Sequence, residues 1–159
     1  MKLIVIIPAR GGSKSLPKKN ILLLKGKPLL CHSVDYSLKS KLVTTTIVST
    51  DSQEIADIAK NCGASVPFIR PDKFAQDDTR DYPVMRHALD FFESKGQIFD
   101  IYILLRPTSP MRPSGLIESA VEIFKNNPLV TSIRSMAEIK EHPYRAWKQN
   151  QDGSISGFI

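Results

Sequence analysis

The sequence is poor in cysteine, in long apolar runs and in early aromatic residues, and each shortage removes a class of protein. Its two cysteines, Cys31 and Cys62, have neither CxxC spacing nor further partners. A disulfide framework or a zinc site therefore has little support, and reduced, buried thiols are expected. The opening apolar run, Leu3 to Ile7, stops at Pro8 and is too short for a signal sequence or a membrane span, so the expected compartment is the cytosol. There is no internal repeat and no biased tract, because 11 prolines and 8 glycines are spread along the chain. Neither a disordered segment nor a long linker is therefore indicated. No aromatic residue precedes Tyr36 to interleave with the early lysines, which argues against a nucleic-acid arm.

What is present fits a globular protein. The 159 residues, 42% of them apolar, suit a single domain over residues 1–159 that buries roughly two thirds of its unfolded surface. The net charge of +6 favours an anionic partner, and Arg10, Lys14, Lys18, Lys19, Lys25 and Lys27 gather in one loop and its exit.

Leu3 to Ile7 is a continuous β-branched run, as expected of a mid-sheet strand buried on both faces. The spacing after Pro28 predicts a helix through Leu38, and Thr44 to Thr50 a second strand. Asp51 or Ser52 can cap a helix carrying Ile55, Ile58, Ala59 and Cys62 on one face and stopping at Gly63. Val66 to Ile69 reads as a short strand, Val84 to Lys95 as a helix and Ile98 to Leu105 as a strand. Ser114 is expected to cap a helix through Lys125, and Leu129 to Ile133 to form a fifth strand. This alternation predicts a Rossmann-like, open, mostly parallel α/β sheet flanked by helices, with its ligand beyond the carboxyl ends of the strands. Three loops leave strand ends there: Pro8 to Asn20, Arg70 to Asp81 and Arg106 to Pro113.

In the first loop, adjacent Gly11 and Gly12 allow close backbone approach to an oxyanion, while Arg10 and the lysines neutralise charge. A triphosphate suits that arrangement, and an ordinary turn with solvated lysines is the alternative. Neither GxxxxGK[ST] nor GxGxxG is present, so those two phosphate-binding mechanisms are set aside. Arg70 offers a planar fork for a base or an ion pair for Asp51 or Asp72. His32, His87 and His142 share no spacing, and no metal or general-base role is assigned to them.

The run PARGGSKSLPKKN resembles the signature of the acylneuraminate cytidylyltransferases, the CMP-sialic acid synthetases. Ile47 to Asp51, Arg70-Pro71 with Asp77-Asp78-Thr79, and Leu105 to Arg112 are similar to that family in order and spacing. The resemblance implies the nucleotide-diphospho-sugar transferase type of fold and transfer of CMP from CTP to an acidic nine-carbon 2-keto sugar, with Mg²⁺ and release of pyrophosphate. It implies that Arg10 and Lys19 contact the triphosphate, with Lys19 stabilising charge during transfer. Gly11, Gly12, Ser13 and Lys14 would form a cradle, and Asn20 would hold ribose or phosphate. Arg70, Asp78 and Thr79 would serve the cytosine, and Arg106, Thr108 and Ser109 the sugar.

Two positions depart from the family pattern. Arg106 stands where many members have Gln, which leaves N-acetylneuraminate, legionaminate and pseudaminate open as the sugar, and Ser15 replaces a usual Gly. Family members also run on beyond the position of Ile159. The sequence is therefore expected to be C-terminally truncated, with the Mg²⁺-binding aspartates and the homodimer-forming segment in the part that is missing. A CTP-binding module without catalysis is the second reading, and an eight-carbon keto-deoxy acid as substrate is the third.

Overall fold

The computed structural model describes residues 1–14, 16–136, 147–152 and 154–157, so Ser15 and His142 lie outside the described residues. The chain divides into two compact units, Met1–Ile123 and Phe124–Ile159.

The first unit is built around β1 (Leu3–Pro8), whose five apolar residues from Leu3 to Ile7 are fully buried. β1 is flanked by two parallel neighbours in the order β4–β1–β5, with β4 spanning Thr45–Ser49 and β5 Ile101–Leu104. Ile6 is paired with Ile47 on one side and Leu104 on the other. Alternation along β1 divides the core between the two faces of the sheet. Val5 and Ile7 pack with residues of α1 (Leu29–Lys39) and α2 (Gln53–Asn61), whereas Ile4 and Ile6 pack with Ala88 and Phe92 of α3 (Asp81–Glu93). Leu3 meets Ile117 and Val121 of α4 (Leu116–Asn126). Helices thus cover both faces, as parallel strands require. Between β1 and α1, β2 (Leu23–Leu24) and β3 (Lys27–Pro28) form a small hairpin. Its turn residues Lys25 and Gly26 both have positive φ, which suits the right-handed twist of a two-residue loop.

Local signals account for most boundaries. The Ser52 hydroxyl accepts from Ile55 N–H at 3.4 Å to cap α2, and Gly63 at φ +95° follows its end. The helix read from Val84 begins three residues earlier, at Asp81, with Pro83 in its first turn, where a missing N–H costs nothing.

Four expectations are corrected. Val66 to Ile69 is not a strand: only Ser65 bridges to Ile47, and Pro67 has no N–H with which to extend a ladder. Leu129 to Ile133 carries no strand, and Leu129 is 95% exposed. At the start of α4 the N–H of Leu116 is met by Tyr36 Oη at 3.2 Å, so a hydroxyl from α1 supplies the bond expected of Ser114. Cys31 and Cys62 are not free thiols but a disulfide joining α1 to the end of α2, with Cα atoms 5.7 Å apart.

The second unit contains an antiparallel pair, β6 (Trp147–Gln149) and β7 (Ile155–Gly157). In the turn between them, Asp152 accepts hydrogen bonds from Ser154 N–H at 3.0 Å and Ser154 Oγ at 2.6 Å. No helix among the described residues is long and apolar enough to cross a membrane.

Candidate functional site

All the site residues discussed here belong to the first unit: one loop leaves the carboxyl end of β1, a second stretch, which follows no strand, is tied beside the end of β4 at Arg70, and a third loop follows β5. The last rung of β1 is the bond from Ala9 N–H to Ser49 O at 2.9 Å, after which the chain turns away at Arg10. Gly11 donates its N–H to Asp51 Oδ1 at 2.9 Å, and a Cβ there would come within 3.1 Å of Ser52 Cβ. A side chain at Gly11 would crowd the start of α2, which would have to give by a few tenths of an ångström. Gly12 has open space around it. Ser13 N–H closes back on Gly11 O at 3.0 Å.

The exit of the loop is fastened to its entrance. Lys18 adopts a left-handed conformation at φ 53° and starts a 3-10 turn over Lys19–Ile21, while its ammonium pairs with Glu54 at 2.8 Å. That turn buries Asn20, whose Nδ2 donates to Arg10 O at 2.9 Å.

The second loop brings Arg70. Its N–H donates to Thr50 O at 2.7 Å, and its side chain is only 3% exposed. Nη2 lies 3.9 Å from Asp51 Oδ1, while Nε is buried without a partner among the described residues. Burial pushes the guanidinium pKa below its usual value; Asp51 opposes this and Arg10 adds to it. A buried donor with no acceptor is costly in a finished fold. Behind this loop His87 sits between Phe68 and Phe74, at ring separations of 4.7 and 5.2 Å. Its pKa is lowered by burial and by Arg70 and Lys73, with Asp90 opposing.

The third loop places Arg106 opposite Asp81, with which it forms an ion pair. Arg112 holds this loop in shape, donating to Arg106 O at 2.6 Å and Ser33 Oγ at 3.0 Å beside the Tyr36 ring.

These pieces enclose a hollow of about 240 Å³. Of the residues singled out from sequence, it brings together Arg10, Ser13, Lys19, Asn20, Arg70, Thr79, Arg106 and Thr108. Gly11, Gly12, Lys14, Asp78 and Ser109 do not line it. The N–H of Gly11 is already taken by Asp51 and is not free for a ligand. Lys14 is 85% exposed and pairs with Asp77, which also holds Arg10. Phe74, Gln76 and Asp81 line the hollow and were not expected from sequence. The one available signal for them was that they fall in the aperiodic stretch Arg70 to Asp81. Among the described residues, Lys19 is the lining cation with no carboxylate in ion-pair range, whereas Arg10, Arg70 and Arg106 each face one.

An open parallel sheet with a cationic hollow at its strand ends is the arrangement in which α/β proteins hold their ligands. The chain belongs to the family described as Cytidylyltransferase, whose model matches residues 4–150. It is 44% identical over 125 residues to a CMP-N,N'-diacetyllegionaminic acid synthase of Legionella pneumophila, covering 79% of this chain and 54% of that protein. It is 36% identical over 159 residues to a pseudaminic acid cytidylyltransferase of Campylobacter jejuni, covering 99% and 68% respectively. The fold is similar to that of a CMP:2-keto-3-deoxy-manno-octonic acid synthetase complexed with CTP, with a TM-score of 0.66 and 25% identity over 82% of this chain and 50% of that one. The chain thus spans about half the length of the legionaminic acid synthase and of the solved synthetase.

Proposed function

We propose that this chain provides the nucleotide site of an enzyme that transfers CMP from CTP to an acidic nine-carbon 2-keto sugar. The anomeric oxygen of the sugar attacks the α-phosphorus, the bond from that phosphorus to the β-phosphate oxygen breaks, and pyrophosphate departs. Catalysis of this kind depends on positioning and on neutralising charge more than on a protein nucleophile. The observation that carries the reading is Lys19, a lining cation without a counter-ion among the described residues, in one hollow with Arg10, Ser13, Asn20 and Arg70. In this reading Arg10 and Ser13 hold the triphosphate, Lys19 stabilises charge as it moves to the leaving group, and Asn20 holds ribose or phosphate. Arg70, which lines the hollow, would offer its guanidinium fork to base acceptors such as O2 and N3 of cytosine. Arg106 and Thr108 would face the sugar, whose class is supported by the legionaminic and pseudaminic relatives.

Mg²⁺ fits this part of the protein poorly. Asp81, which lines the hollow, and Asp77, which pairs with the lining Arg10, are each held by arginine or lysine, and no cluster of three candidate ligands occurs among the described residues. No step is therefore routed through a metal. A second reading is a CTP-binding module without catalysis.

One experiment separates the two readings. Titration calorimetry with CTP is expected to show uptake. Adding Mg²⁺ with legionaminate, pseudaminate or N-acetylneuraminate is expected to release pyrophosphate from at least one of them. CTP uptake without pyrophosphate from any sugar would establish the module, and absence of CTP uptake would remove both.

A further inference from the structure

Arg10 and Lys14 both end on one carboxylate from the facing loop. Arg10 Nη2 lies 2.7 Å from Asp77 Oδ1, and Lys14 Nζ is paired with Asp77 Oδ2. Each oxygen takes a different cation, which is how two non-bridging oxygens of a phosphate would be held. The lysine, helped by Arg10, keeps the Asp77 carboxyl below the ordinary carboxylate range, so it is charged at neutral pH. The backbone presents it there deliberately: Thr79 N–H closes on Gln76 O at 3.2 Å, and Gln76 Nε2 donates to Asp72 O at 2.8 Å, tying the turn to the preceding 3-10 turn. The two residues that make this turn, Gln76 and Thr79, both line the hollow.

We infer that Asp77 is a resident counter-anion, occupying the polyphosphate position on Arg10 and Lys14 until a ligand displaces it. The inference rests on the reading of the first loop as a phosphate site. The Asp77 side chain is 38% exposed and that of Lys14 85%, so the carboxylate can swing into water without uncovering core. An exposed pair adds little to folding. A ligand that must first free the two cations nonetheless binds more weakly, in proportion to the fraction of time they are free. Asp77 therefore sets the affinity of the site for polyphosphates, substrate and released pyrophosphate alike, and keeps product from lingering. The same loop holds Arg106 with Asp81 in a similar way.

The test uses the 159-residue chain, its Asp77→Asn variant and, as a second form, Asp77→Ser. Calorimetry at low ionic strength with sodium tripolyphosphate and with CTP is expected to show both variants binding about threefold to fivefold more tightly than the parent, at an unchanged melting temperature. Unchanged binding of tripolyphosphate would overturn the inference, and weaker binding would make Asp77 a residue that positions Arg10. Tighter tripolyphosphate binding with no uptake of CTP would keep the inference and remove the nucleotide reading. CTP binding that neither variant alters would do the reverse, and failure of the parent and both variants to bind either compound would end both.

Discussion

Lys19 and Arg70 are the two lining cations on which the proposed nucleotide site leans most. Lys19 lacks a carboxylate partner among the described residues, and Arg70 is buried with one nitrogen unmet. A half-exposed loop lysine contributes little to stability. Lys19→Ala is therefore expected to lower kcat for pyrophosphate release by about a hundredfold or more while leaving the melting temperature within about 2 °C. Steady-state assays beside thermal melts check this, and equal losses in both would count against the role. Individual residues of the site were partly legible in the sequence. The cations of the first loop stood out because glycines and a buried strand flanked them. Asp77 and Asp81 did not, because a counter-ion is recognised only once the opposite loop is in place. Gly11 was legible as a glycine but not for its reason, which is contact with Ser52.

At the scale of elements, alternating apolar patterns recovered β1, α1, β4, α2 and α3 within a few residues, and β5 as the inner part of its expected span. A β-branched run such as Val130 to Ile133 carries the same local signal whether or not a neighbour accepts it, so that segment was misread. Partnership between elements is equally invisible from spacing, and the Cys31–Cys62 link between α1 and α2 shows it. The bridge closes a sequence separation of 31 residues, for which chain entropy gives roughly 3 to 4 kcal/mol. Dithiothreitol is expected to lower the melting temperature by roughly 10 °C. Cys62→Ser should melt near the reduced protein and ignore the reductant. A melting curve indifferent to reductant in the parent chain would show that the link contributes no stability.

For the molecule as a whole, His87 couples the fold to acidity. Its pKa is lowered in the fold, so as pH falls below about 6.5 the unfolded chain takes up a proton that the native one resists. Stability from this group is thus complete above that pH and is lost as pH drops from there toward the native pKa. Melts at about pH 7.5 and 5.5 should show a smaller difference for His87→Phe than for the parent chain. An identical difference would mean that other groups carry the acid sensitivity. The overall charge of +6 adds a long-range attraction for polyanions that salt should weaken.

The bond from Asn20 to the carbonyl of Arg10 also fixes the mouth of the proposed nucleotide site. A strand of chain that buckles onto its own beginning makes a collar whose shape is fixed at the time of folding. In the proposed reading, capture would then require only the exchange of small groups at the rim, and a nucleotide would find its seat already made.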